Sequence, residues 1–260
     1  MSQATRARQA QIMTYLLERK QVTVRDLVDE MGVSEATARR DLRAMAEEGQ
    51  VRLLHGGAAL PDRADSSFAA RTLCQVEAKQ QIGALAASLV TDGDQVFIDS
   101  GSTCFQMAGP LRRLREVTIL LNSTRLAPEV AVGRHRLILL GGQYRPARMD
   151  TAGPITLRTL EEFRGYRAFI GADGLSMDFG PSAVDIESAH LYRQVVENAR
   201  DAVLLVDHTK FQAPSGHRIA EWARFRYLVT DRDPNPEWVS FLQDCEIEIL
   251  CPREAESLSA

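Results

Sequence analysis

The sequence predicts a two-part α/β protein. A small helical amino-terminal part with a β-hairpin is followed by a larger, open, mostly parallel α/β part. Three observations lead there. At 260 residues the chain exceeds one minimal domain and falls short of three, so two domains of unequal size are expected. From residue 76 onward, short apolar runs such as Leu137–Leu140 and Ala202–Val206 alternate with helical periodicity. That is the pattern of buried parallel strands with helices between them. Between the two parts lies a polar, loop-like stretch, PDRADSS, from Pro61 to Ser67. The expected boundaries are 1–60 for the first domain, 61–75 for a linker and 76–260 for the second domain.

In the first part, Ile12, Leu16 and Leu17 recur at helical spacing within Ala7–Leu17. Val22-Thr23-Val24 is a short extended step. A second short helix runs from Val24 to Met31, with Leu27, Val28 and Met31 on its apolar side. Gly32-Val33-Ser34 is a turn, because Gly accepts a positive φ after a helix and Ser34 is a good cap for the next one. A third helix spans Glu35 to about Glu48 and stops at Gly49. Val51–Leu54, followed by His55-Gly56-Gly57, reads as a hairpin wing.

In the second part, Val76–Val90 is helical and Gln95–Ile98 is a strand. Helix Phe105–Leu114, strand Thr118–Leu121, helix Arg125–Val132 and strand Arg136–Leu140 follow. Then come helix Ile155–Phe163, strand Ala168–Ile170, helix Ile186–Asn198 and strand Ala202–Val206. Tyr227–Thr230, Glu237–Leu242 and Ile247–Leu250 complete the series.

Composition narrows the function. Hydrophobic residues make up 45% and charged residues 25%, enough apolar surface for a packed core, so disorder of the whole chain is excluded. No apolar run approaches the roughly 18 residues of a membrane span. The start, MSQATRARQAQIM, lacks the apolar segment of a signal peptide. A cytoplasmic protein without a membrane partner is expected. Cys74, Cys104, Cys245 and Cys251 form no CxxC pair and no His clusters near them, so neither zinc nor disulfides are expected. No cofactor is expected either.

The net charge of −4 argues against nucleic acid for the chain as a whole. Residues 1–60, however, hold nine basic and eight acidic side chains, +1 in balance, which leaves −5 for the rest. The placement of the arginines decides more than this difference. On a wheel at roughly 100° per residue, Ala38, Leu42 and Met45 fall on one side of the third helix. Arg39, Arg40 and Arg43, with Ala36, fall on the other. A short helix, a Gly-containing turn and a helix with a basic outer face make a helix-turn-helix. Arginines there bond phosphates, or guanine O6 and N7. The candidate DNA-binding residues are Ser34, Glu35, Ala36, Thr37, Arg39, Arg40, Arg43 and His55, and the partner is double-stranded operator DNA. One such module buries too little to compete with non-specific sites, so a homo-oligomer, a dimer or tetramer, is expected.

Val33-Ser34-Glu35-Ala36-Thr37-Ala38-Arg39-Arg40-Asp41-Leu42, with Gly49 and His55-Gly56-Gly57-Ala58 after it, resembles the DeoR family of bacterial transcriptional regulators. The family's motif runs roughly V-S-x-x-T-[IV]-R-R-D-L and closes with G-G after the wing. Ala38 stands where Ile or Val is usual; it is a core position, so no contacting side chain is lost. The resemblance covers nearly the whole chain. It implies a sugar-phosphate sensor domain similar to ribose-5-phosphate isomerase. It also implies a repressor of a carbohydrate catabolic operon, released by a phosphorylated sugar or sugar alcohol. Glu187 and Lys79 match polar positions of the family's sensor domain.

The residues themselves point to a ligand through the strand ends. Asp99-Ser100-Gly101-Ser102-Thr103 follows one strand and opens a helix; its amides and hydroxyls suit a phosphate. Asn122-Ser123, Gly141-Gly142, Gly171-Ala172-Asp173-Gly174 and Asp207-His208-Thr209-Lys210 follow four others. In open α/β sheets the ligand crevice lies outside the carboxyl ends of the strands. The expected phosphate site is Gly101, Ser102 and Thr103. Asp99, Asn122, Asp173 and Asp207 are expected to bond sugar hydroxyls, with Lys210 balancing the anion. Ser123, Gly141, Gly142, Gly174 and Glu187 complete the candidate effector site. Gly-rich turns are also ordinary structural turns, Asn122 is equally a helix cap, and Asp207 with Lys210 is equally a surface ion pair.

An isomerase with an accessory DNA-binding domain is the alternative, with Asp173 or Asp99 as its carboxylate base. The Gly-rich loop followed by Glu and Lys that the similar isomerases carry is absent after Gly180, where Pro181–Glu187 contains no lysine. No catalytic activity is therefore expected.

Overall fold

The structure is a computed structural model that describes residues 3–19, 21–47, 50–60 and 68–252. The expected helix stop at Gly49 and residues 61–67 of the expected linker lie outside the described residues. The chain divides into two compact units, 1–76 and 77–260.

The first unit begins with α1 (Gln3–Arg19), β1 (Gln21–Thr23), α2 (Val24–Met31) and α3 (Glu35–Glu47). Strands β2 (Arg52–Leu54) and β3 (Gly57–Ala59) follow, then α4 (Phe68–Leu73) within the stretch expected to be linker. Thr23 opens α2 with a capping box: its hydroxyl accepts from Asp26 N–H while the Asp26 carboxylate accepts from Thr23 N–H. Gly32 ends α2 in the left-handed region at φ 64°, which a side chain resists. Ser34 caps α3 by accepting from Thr37 N–H at 3.2 Å. Strands β2 and β3 form an antiparallel hairpin, and β1 pairs on the far side of β3. Ile12, Met13, Leu16, Leu27, Ala38, Leu42 and Met45 make one buried cluster.

The second unit is a seven-stranded sheet between two helical layers. Its strands are β4 (Gln95–Ile98), β5 (Arg115–Leu121), β6 (Arg134–Leu139), β9 (Arg167–Gly171), β11 (Asp201–Leu205), β13 (Phe225–Val229) and β14 (Glu248–Leu250). They lie in the order β14-β13-β11-β9-β4-β5-β6, and every neighbouring pair is parallel. The helices are α5 (Val76–Ala87), α6 (Ala108–Leu111), α7 (Leu126–Val130), α8 (Pro154–Glu161), α9 (Ile186–Asn198) and α10 (Pro236–Asp244). Alternate strand residues enter opposite cores. Val96, Ile98, Phe169 and Val203 pack with Ile82, Met107 and Val130. Phe97, Ala168, Ile170 and Leu204 pack with Leu160, Val195 and Trp238. Continuous apolar strands are the consequence of burying both faces.

Two expectations are corrected here. The single helix expected over Phe105–Leu114 is a 3-10 turn, Cys104–Met107, joined to the one-turn α6. Gly109-Pro110 explains the short helix, since glycine disfavours it and proline restricts the residue before it. The stretch 141–153, read only as a glycine turn, contains an antiparallel hairpin of β7 (Gln143–Arg145) and β8 (Asp150–Ala152). A second small pair, β10 (Ser182–Ala183) with β12 (His217–Arg218), was not anticipated either.

Candidate DNA interface and effector site

The outer face of α3 is basic and free. Arg39, Arg40 and Arg43 are exposed, whereas Ala38, Leu42 and Met45 are buried. Arg39 pairs with Glu35 one turn back at 3.2 Å, a contact of small energetic value in water. Ser34, Glu35 and Ala36 are exposed at the start of the helix, with Thr37 half-buried, and His55 is exposed at the tip of the β2–β3 turn. Ala38 is fully buried, as a core position requires. What the sequence did not reveal is the anchor of this helix. Asp41, itself buried, accepts both Arg8 Nε and Arg8 Nη2, the latter at 3.0 Å, and so clamps α1 to α3. This paired contact raises the pKa of Arg8, chiefly through the hydrogen bond to Asp41.

In the second unit the five singled-out strand ends follow β11, β9, β4, β5 and β6, which are consecutive in the parallel sheet. All five therefore leave the sheet at the same edge. Several residues there serve the protein rather than a free crevice. Asp99 is 1% exposed. Its carboxylate accepts from the Gly101 amide, from Gly171 N–H at 2.6 Å and from Tyr192 Oη at 3.2 Å. Asp99 is thus a latch between two strand ends, not an open acceptor for a sugar, and the Gly101 amide is already used. Asp207 is equally buried and caps the next turn by accepting from Thr209 N–H at 3.0 Å and from the Thr209 hydroxyl. Asp173 accepts from Val184 N–H at 2.9 Å. Ser123, not Asn122, bonds the first amide of α7, accepting from Leu126 N–H at 3.1 Å. Gly141 gives its carbonyl to Thr156 Oγ1 at 2.8 Å. A Cβ at Gly142 would meet Thr156 Oγ1 at 1.9 Å, and one at Gly174 would meet the Ala213 carbonyl oxygen at 2.2 Å. Both glycines are needed for close packing.

Three groups remain without internal partners. The hydroxyls of Ser102 and Thr103 make no hydrogen bond among the described residues, and neither does the half-buried Lys210 ammonium. Asn122, fully buried, donates from Nδ2 to the Thr151 carbonyl at 3.0 Å, while its Oδ1 has no partner. Lys79 is buried in α5. His208, Phe211, Gln212, Arg232, Asn235 and Trp238 help to line a cleft of about 440 Å³ that Lys210 does not line. His208 Nδ1 lies 2.8 Å from Asp231 Oδ2. Burial pushes the Asp231 carboxyl up, but its bonds from the His208 amide and side chain outweigh that and lower its pKa.

The β7–β8 hairpin adds a charged network that the sequence did not disclose. Arg145 Nε and Nη2 reach Asp150 Oδ1 and Oδ2, each at 2.8 Å. Arg145 also bonds Asp185 at 2.6 Å, Ser188 at 3.1 Å and the exposed Glu187 at 3.2 Å. Asp150, fully buried, further accepts from Ser100 Oγ at 3.0 Å. Burial opposes ionisation of Asp185, yet Ser188 and Arg145 hold its carboxyl down at about 2. Burial, with Asp99 close by, pushes the Tyr192 phenol up, so it is a neutral donor. The only signal in the sequence was the charge pattern Arg145-Pro146-Ala147-Arg148-Met149-Asp150 after the glycine pair.

Comparison with known proteins places both units. The family model described as the DeoR-like helix-turn-helix domain matches residues 8–64, and the one described as the DeoR C terminal sensor domain matches residues 74–232. The chain belongs to the DeoR family. It is 30% identical over 237 residues to a putative sgc region transcriptional regulator of Escherichia coli strain K12, covering 89% of this chain and 90% of that protein. It is 29% identical over 249 residues to the HTH-type transcriptional repressor CsqR of the same strain, covering 95% of each. It is 30% identical over 233 residues to the glycerol-3-phosphate regulon repressor of that strain, covering 88% of this chain and 92% of the relative. Among solved structures, ribose 5-phosphate isomerase A from Methanocaldococcus jannaschii overlaps 51% of this chain and 53% of its own, at 21% identity and a TM-score of 0.36. As a DeoR-family transcriptional regulator, the protein carries its DNA reader in the first unit and its sensor in the second. No helix among the described residues is long and apolar enough to cross a membrane.

Proposed function

We propose that this DeoR-family regulator represses a carbohydrate catabolic operon and is released from its operator by a phosphorylated sugar or sugar alcohol. The observation that carries this reading is the set of strand ends at one edge of the parallel sheet. There Ser102, Thr103 and Lys210 present two hydroxyls and a cation with no internal partner. An anion binds where donors and charge are unspent. Gly101 serves as the turn that leads into Ser102 and Thr103, while Asn122 Oδ1 offers an acceptor for a sugar hydroxyl. Ser123, Gly141, Gly142, Gly174, Asp99, Asp173, Asp207 and Glu187 shape the walls. Residues 1–60 read the DNA, 61–75 connect, and 76–260 sense.

The regulator acts in the cytoplasm as a dimer or tetramer, since two half-sites multiply affinity through effective concentration. It is not an enzyme in this reading. Asp99 and Asp173, the two carboxylates considered as bases, are both held by hydrogen bonds within the chain. The glycerol-3-phosphate regulon repressor among its relatives supports an effector of the phosphorylated polyol class.

The test is operator binding by fluorescence anisotropy with and without a panel of sugar and polyol phosphates, with light scattering for assembly. Release by a phosphorylated compound, and not by its dephosphorylated form, is expected. Operator binding indifferent to the whole panel would overturn the sensor assignment. Conversion of any of these compounds, followed by NMR, would reinstate the isomerase.

A further inference from the structure

Arg148 is a largely buried cation whose guanidinium makes no hydrogen bond among the described residues. Its side chain is 18% exposed. Asp150 is its nearest carboxylate, and Nε stops 3.5 Å short of Asp150 Oδ2 without forming a hydrogen bond. That Nε is buried with no hydrogen-bond partner. Asp150 has little left to give, because both its oxygens are occupied by Arg145 and one also by Ser100. Asp185 is likewise committed to Arg145 and Ser188. Two guanidinium groups therefore share one fully buried carboxylate, and Arg145 takes nearly all of it. A guanidinium has five N–H donors, and burying one without acceptors is costly.

The position of Arg148 relates it to the loop after β4. Asp150 links it to Ser100, which opens the loop that carries Ser102 and Thr103. Lys210 follows β11, on the other side of that loop, two places along the sheet from β4. Adjacent strands are about 4.8 Å apart, so β4 and β11 are roughly 10 Å apart. Arg148 and Lys210 thus stand on opposite sides of the loop that carries Ser102 and Thr103.

We propose that Arg148 is a second cation of the effector site, so that the effector carries two anionic groups, a phosphate and, at its far end, a carboxylate or second phosphate. This inference rests on the proposed sensing of a sugar phosphate and specifies its chemistry. One group engages Ser102, Thr103 and Lys210. The other supplies the acceptors that Arg148 lacks. Glu187 and Asp185 stay with Arg145, which keeps the hairpin in place.

Matched probes test it. Glucose 6-phosphate and fructose 6-phosphate carry one anionic group; 6-phosphogluconate and fructose 1,6-bisphosphate carry two. Affinities are read by calorimetry and by operator release, for the wild type, Arg148→Met and Arg148→Lys. The wild type is expected to bind at least one two-anion probe ten-fold or more tighter than its one-anion counterpart. Arg148→Met, which keeps the apolar stem, should bind both members of the pair equally, and Arg148→Lys should recover part of the preference. Operator affinity and melting temperature without ligand should not fall in Arg148→Met. A wild type with no preference, or an Arg148→Met protein that keeps it, overturns the inference. So does a ligand-free Arg148→Met protein that melts well below wild type, because Arg148 would then be structural. If one-anion probes still release the operator in those cases, sensing of a sugar phosphate stands. If no probe of either class releases the wild type, that broader reading fails with it.

Discussion

Arg145 and Asp150 face each other through two parallel hydrogen bonds of 2.8 Å at the turn end of one short hairpin. The carboxylate is fully buried and the guanidinium side chain is 13% exposed. Bidentate geometry fixes both groups in orientation as well as distance. Through Ser100, Asp185 and Ser188 the pair ties the hairpin to the end of β4 and to the start of α9.

Asp150→Asn should therefore unfold the sensor unit more easily. Removing one partner of a buried pair costs on the order of 3–5 kcal/mol, because the other charge is stranded. Here two guanidinium groups would face each other without the carboxylate between them. Urea unfolding followed by tryptophan fluorescence checks this, since Trp222 and Trp238 both belong to the sensor core. A loss below about 1 kcal/mol would mean that the network is solvated and not structural.

Arg40→Ala should weaken operator binding by about 1–3 kcal/mol if the side chain reads a base. The fold should not change, because Arg40 is exposed on α3. A gel-shift titration of the Arg39→Ala, Arg40→Ala double variant with unchanged affinity would move the DNA contact away from this face.

Lys210→Ala should leave operator binding intact and abolish release by the effector, giving a super-repressor in the cell. Ser102→Asp should do the same by setting a like charge where the phosphate lands. Operator affinity with and without effector, for the wild type and both variants, is the measurement. A Lys210→Ala protein released at the wild-type effector concentration would take Lys210 out of the site. Normal release of Ser102→Asp would place the ligand elsewhere.

Acid should weaken the hairpin in a defined window. The Asp185 carboxyl is held at about 2 in the folded protein, against about 3.9 for an unfolded aspartate. A depressed folded pKa stabilises the fold fully above the unfolded value and loses that effect as pH falls toward the folded one. Stability should thus drop between about pH 4 and pH 2, with a shallower slope in Asp185→Asn. Equal slopes in the two proteins would mean that the Arg145 contact is absent in solution.

Much of the architecture is local information. Ser34 as a cap, Gly32 as a left-handed turn, and the split of α3 into Ala38-Leu42-Met45 and Arg39-Arg40-Arg43 faces follow from residue type and spacing alone. So does the parallel sheet, because strands buried on both faces must be continuously apolar. The placement of five polar strand ends at one edge was legible for the same reason.

The chemistry at that edge was not legible, because it depends on which donor meets which acceptor across long sequence separations. Asp99 looks like a ligand-binding carboxylate in sequence, but Gly171 and Tyr192, 72 and 93 residues away, consume it. Arg145 and Asp185, 40 residues apart, show no mutual spacing pattern. Sequence alone determined the DNA-reading helix and the layered sheet, since caps, turns and periodicity act within a few residues. Only the tertiary structure decided which charges are spent on the fold and which, like Lys210, make no hydrogen bond among the described residues, since that balance is struck between segments the chain brings together by folding.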